Sequence, residues 1–79
     1  MKSEDIATLI RALLPAADVR VASPDDVHFE AVVIAGEFAG KRTLERHRLV
    51  YAALGERMGR EIHALALQVF TPEEWSARR

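Results

Sequence analysis

Residues 27–35 read Val27-His28-Phe29-Glu30-Ala31-Val32-Val33-Ile34-Ala35. The run is dense in β-branched and aromatic side chains and carries one acidic residue near its start. That is the composition of a central, largely covered strand. Working outward, Ser23-Pro24-Asp25-Asp26 before it is a tight-turn signal, and Val19-Arg20-Val21-Ala22 alternates as a short first strand. Strands joined so closely pair antiparallel. On the other side Gly36 breaks the strand, and residues 36–42 (GEFAGKR) read as a loop. Leu44, His47, Val50, Tyr51 and Leu54 mark one face of a helix, with Arg42, Glu45, Arg46 and Arg48 mostly around the other side. Gly55 is a weak point in that helix, and Gly59 suits a left-handed helix end. Glu61–Phe70 reads as a third strand. About two dozen residues, a helix among them, separate the second and third strands, which suits parallel pairing through a right-handed crossover.

The outermost segments are helical. Ser3 with Glu4 and Asp5 is a capped helix start, Ile6, Leu9, Ile10, Leu13 and Leu14 follow at helical spacing, and Pro15 stops the helix. At the other end Thr71 caps, Pro72 takes the first helical position, Glu73 and Glu74 fill the first turn, and Trp75 anchors the helix as a structural residue. The order is α-β-β-α-β-α. It predicts an α+β fold: a two-layer sandwich over residues 1–79, with helices on one face of a three-stranded mixed sheet.

Composition narrows the chemistry. The 79 residues are 49% hydrophobic and 29% charged, the balance of a soluble globular domain. Eleven Lys and Arg against twelve Asp and Glu give a net charge of −1, which argues against a general polyanion binder. With no cysteine, the chain forms no disulfide, thiolate nucleophile or iron–sulfur centre of its own. No apolar run reaches membrane-spanning length, and MKSEDIATLI lacks the pattern of a signal peptide. The expected address is the cytoplasm, away from membranes.

The histidines are the chemical groups of interest. His28 lies near the start of the second strand and His63 near the start of the third, so parallel pairing brings both to one edge of the sheet. Neighbouring strands lie ~4.8 Å apart, close enough for two imidazoles to share a metal, with further ligands left to water or a partner. The ordinary alternative for a strand histidine is a hydrogen bond to backbone. His47, on the apolar stripe of its helix, reads as structural, its ring bonded to a backbone group. Lys41, Arg42, Arg46 and Arg48 form a basic run, a local case for nucleic acid against the plainer reading of a solvated helix face. Glu73 and Glu74 serve the helix dipole. No serine or threonine shows a triad-like setting, and Gly36–Gly40 lacks the ending of a phosphate loop.

Four stretches together resemble the BolA/IbaG family: Phe38-Ala39-Gly40-Lys41, Leu44-Glu45-Arg46-His47-Arg48-Leu49-Val50-Tyr51, Ile62-His63-Ala64-Leu65 and Thr71-Pro72-Glu73-Glu74-Trp75. The resemblance spans nearly the whole chain in order and implies a class II KH-like fold. It implies no enzymatic activity. It also implies partnership with a cytosolic monothiol glutaredoxin, with a 2Fe-2S cluster bridged between the two proteins. In such pairs the glutaredoxin cysteine and glutathione supply thiolates. His63 matches the family's ligand histidine by motif, and His28 stands nearest to the second ligand position. Family members are also associated with transcriptional regulation of stress and cell-shape genes, so DNA or RNA binding through Lys41, Arg42, Arg46 and Arg48 is the alternative expectation. The isolated chain is expected to be a monomer or weak homodimer.

Overall fold

The computed structural model describes residues 1–78. Its elements run α1 (Ser3–Leu13), β1 (Asp18–Ala22), β2 (His28–Ile34), α2 (Thr43–Leu54), β3 (Ala64–Phe70) and α3 (Pro72–Ala77), with short 3-10 turns at Gly36–Phe38 and Gly55–Arg57. The order is the one predicted. The sheet order is β1-β2-β3, with β1–β2 antiparallel and β2–β3 parallel. His28 pairs with Ala64 and Ile34 with Phe70, so β2 and β3 start and stop together.

Alternation along the strands decides what is covered. Val19, Phe29 and Val33 are buried against Ile6 and Ile10 from α1, Leu14 just after it, and Val50 and Leu54 from α2. Each side chain fully buried there contributes about 1.5–3 kcal/mol of transfer free energy. Phe38 is fully buried as well, so the Gly36–Phe38 turn is pinned into the core by its own aromatic ring. The opposite face, with Arg20, Glu30, Val32, Ala66 and Gln68, stays open over most of its length. At its far end the Trp75 ring of α3 lies 5.2 Å from that of Phe70, with the Arg20 guanidinium 5.1 Å from the Trp75 ring. Trp75 is thus an anchor, on the face away from α1 and α2.

Two helix details differ from the sequence reading. The buried face of α2 is Arg46, Val50 and Leu54, whereas Leu44 is 62% and Tyr51 38% exposed. Arginine counts as polar in a periodicity pattern, yet its long stem can lie inward when its head group finds a partner. The helix also ends at Gly55, whose φ of +59° suits glycine, four residues before Gly59. All three helices share one starting device: the side chain of Asp5, Glu45 or Glu74 accepts from the backbone N–H of the residue just before its helix, Lys2, Arg42 or Thr71. Only at Thr71 does the capping residue's own side chain reciprocate, its hydroxyl accepting from the Glu74 N–H. Lys2 occupies the cap position predicted for Ser3, which is the first helical residue.

Candidate functional site

The β1–β2 turn is built by two side chains. The Ser23 hydroxyl donates to the His28 carbonyl and accepts from the Asp26 N–H at 2.9 Å. One Asp25 oxygen accepts from the backbone N–H groups of Val27 (3.0 Å) and His28 (2.8 Å). This Asx-type geometry lets the chain reverse with Asp26 at a φ of 59°, a left-handed conformation that aspartate tolerates.

The second Asp25 oxygen lies 2.8 Å from Nδ1 of His28. The backbone N–H of His28, then its ring, then the N–H of Val27 hold the Asp25 carboxyl well below its ordinary pKa. An ionised carboxylate only accepts, so Nδ1 carries the hydrogen. In neutral imidazole the lone pair is then on Nε2. The His28 side chain is 66% exposed, beside a shallow hollow lined by Pro24, Phe29, Ala64 and Ala66 with Glu30 on its rim. A carboxylate on one ring nitrogen and an accessible second nitrogen is the usual setting of a metal-ligating histidine.

His63 stands one residue before β3, next to Ala64, the register partner of His28. It is exposed and makes no side-chain hydrogen bond among the described residues. The predicted strand start at Glu61 is corrected here: Gly59–Glu61 is a turn, and buried Ile62 forms an isolated bridge to Met58, its carbonyl accepting from the Gly59 N–H, before β3 begins at Ala64. The topology brings both histidines to one sheet edge. Among the described residues, no three His, Asp or Glu side chains gather into a self-sufficient metal site.

The basic run divides. Lys41, Arg42 and Arg48 are exposed. Arg46 is turned inward, its side chain 11% exposed. Its Nη1 and Nη2 donate to the two carboxylate oxygens of Glu74 at 2.6 and 3.1 Å, and its Nε donates to the Lys41 carbonyl at 2.9 Å. The guanidinium also lies 5.8 Å from the Phe38 ring centre. Bonded to Arg46 first and to the Thr71 N–H second, the Glu74 carboxyl is held down at about 2. Arg46 therefore leaves the surface group and ties α2 to α3. His47 differs from expectation too: half-buried, its ring makes no hydrogen bond among the described residues and meets Tyr51 edge-on at 6.1 Å.

Sequence reasoning missed Asp25 and the Arg46–Glu74 pair. Asp25 was within reach, because an aspartate two and three residues ahead of N–H groups it can bond is a turn signature. Arg46 and Glu74 are 28 positions apart, and no local pattern joins them.

Similarity to known proteins agrees with this fold. The family model described as "BolA-like protein" matches residues 15–74. The solved structure of a bolA protein homologue from Coxiella burnetii superposes with a TM-score of 0.83 at 45% identity, covering 96% of this chain and 97% of that one. The DNA-binding transcriptional regulator BolA of Haemophilus influenzae is 45% identical over 51 residues, 65% of this chain and 50% of its own length. BolA-like protein 1 of Homo sapiens is 48% identical over 50 residues, 63% of this chain and 36% of its own. The chain spans about half the length, or less, of these curated relatives. A family model covering most of the chain and a shared three-stranded mixed sheet lead to one conclusion: the chain belongs to the BolA family.

Proposed function

We propose that this protein is a non-enzymatic adaptor that joins a monothiol glutaredoxin and lends imidazole ligands to a 2Fe-2S cluster carried between the two proteins. The observation that supports this best is the Asp25–His28 pair: Nδ1 is engaged at 2.8 Å and Nε2 is left accessible, at the sheet edge where His63 also stands. The donor set fits such a cargo. Imidazole can replace thiolate on one iron, and a chain without cysteine supplies only part of the coordination. Asp25 fixes the tautomer of His28, and His63 offers an exposed ring that no side-chain hydrogen bond holds back among the described residues.

The test is to mix the protein with cluster-loaded monothiol glutaredoxin and record visible absorbance, circular dichroism and gel filtration. A changed cluster spectrum in a heterodimer is expected. His63→Ala should abolish or strongly weaken it, and His28→Ala should shift the spectrum and hasten cluster loss while the proteins still associate. An unchanged spectrum with no heterodimer refutes the reading.

A second reading, DNA binding, is favoured by the name of the Haemophilus influenzae relative and by the exposed Lys41, Arg42 and Arg48 at the start of α2. With Arg46 engaged by Glu74, the patch offers three cations, so log affinity should fall with log salt with a slope of only about 3. A gel shift on a defined duplex that survives Lys41→Ala and Arg48→Ala together would reject this patch.

A further inference from the structure

We propose that β3 is a self-association edge: two copies of this chain join antiparallel along Ala64–Phe70, centred on Leu67, and continue the sheet to six strands. The two edges of the sheet are treated differently. β1 is five residues long and carries Asp18 and Arg20, and α1 guards it, the Arg11 guanidinium donating to the outward carbonyl of Val19 at 3.2 Å. Charge, shortness and cover are the usual protections of an edge strand. β3 has none of these. Its seven residues, ALALQVF, contain no charge and no proline, and their register with β2 is uninterrupted.

The hydrogen-bond phase shows which groups are open. The Ala35 N–H donates to the Phe70 carbonyl at 2.9 Å. In a parallel ladder a residue turns both its backbone groups to the same side, so Phe70, Gln68, Ala66 and Ala64 face β2. Leu65, Leu67 and Val69 turn theirs outward, and no bond outside the ladder reaches them among the described residues. Their side chains, which lie on the helix-covered face, are only half-buried, so the core is not closed at this edge.

The edge is complementary to itself. About a two-fold axis at Leu67, Leu65 of one copy stands opposite Val69 of the other and Leu67 opposite Leu67. Each copy's three outward N–H groups then meet the other's three outward carbonyls. On the open face Ala66 stands opposite Gln68, small against long, and no like charges meet. Such an isologous contact closes at a dimer. A phosphate-bearing strand has no cation on β3 to engage. The contact is at the small end of specific interfaces, which places self-association in the ~10 µM to ~1 mM range.

The test uses the full chain without cluster or glutaredoxin, so its outcome is independent of the proposed function. Sedimentation and amide hydrogen exchange are measured from ~20 µM to ~1 mM, the range in which a small interface populates. A dimer is expected, with exchange at Leu65, Leu67 and Val69 slowed about ten-fold at the upper concentration and Gln68 unchanged. Leu67→Lys, which opposes two ammonium groups across the axis, should be monomeric throughout. If that variant fails to fold, exchange in the unaltered chain still decides. Concentration-independent exchange at the three amides overturns the proposal. So does a dimer protected elsewhere, or protection that arises only on adding a single-stranded oligonucleotide.

Discussion

The two ends of the sheet use the same device for opposite purposes. At one end Asp25 accepts a backbone N–H with one oxygen and holds the His28 ring with the other. At the other, Glu74 accepts the Thr71 N–H and holds Arg46. In both, a carboxylate three residues from its backbone donor fixes a turn or a helix start and grips a side chain. The difference lies in what the gripped group has left over. Arginine has no acceptor, and Arg46 directs its three nitrogens to Glu74 and the Lys41 carbonyl in a nearly buried setting. Its end of the molecule is closed. Imidazole held by one nitrogen still has the other, and His28 holds it in solvent. A lock and a proposed ligand thus differ here by the residue that the carboxylate meets.

The largest effect that sharpens this contrast is Arg46→Ala. It removes the α2–α3 tie and the stacking on Phe38, and it leaves the Lys41 carbonyl without its donor. The loss should be on the order of 2 kcal/mol in urea unfolding, with the cluster spectrum in the glutaredoxin mixture unchanged for whatever remains folded. A variant that lost the cluster at full stability would join the two ends functionally and break the comparison.

Asp25→Asn is the next test. The asparagine oxygen can keep the backbone bonds to Val27 and His28, so the turn survives. Its amide cannot accept from Nδ1–H; it donates instead, and favours the tautomer with hydrogen on Nε2, the wrong one for a ligand. Cluster loss from the heterodimer should quicken by roughly ten-fold, with thermal stability near that of the parent. If the rate is unchanged, His28 does not bind through Nε2.

The two ends were unequally legible in the sequence. β2 announced itself through its β-branched run, and its turn and crossover then gave the sheet. The placement of His28 and His63 toward one end of the sheet follows from that topology, because parallel strands share a starting end. Helix α2 misled for a physical reason: Arg46 looks polar in a pattern and is buried by a partner that becomes visible only when α3 folds back beside α2. β3 also starts later than its apolar alternation suggested, because buried Ile62 bridges Met58 and not β2.

Glu74 gives a pH test of the locked end. Its carboxyl titrates at about 2 in the fold against 4.5 ordinarily, so the folded state favours the ionised form. The stabilisation is complete above pH 4.5 and is lost as pH falls toward 2. The difference in urea midpoint between the parent and Glu74→Gln should therefore be constant above about pH 5 and shrink steadily below it. A constant difference down to pH 2 would mean that the pair contributes through packing alone.

The smallest effect belongs to His47, which, like His63, meets no carboxylate among the described residues. Its ring is half-buried and meets Tyr51 edge-on, with 6.1 Å between ring centres and the planes at 90°. Such a pair is worth about 0.5–1.5 kcal/mol when buried, and less where Tyr51 is 38% exposed. Alanine returns part of that through its helix propensity, better than histidine by about 0.5 kcal/mol. Among the described residues no buried polar group is orphaned by the change. His47→Ala should accordingly alter stability by no more than ~0.5 kcal/mol and leave the cluster spectrum untouched, so two of the three imidazoles would matter for ligation and the third for neither end. A loss of 2 kcal/mol or more would reveal a polar partner for the ring, and a lost cluster would move the ligand from the sheet edge to α2.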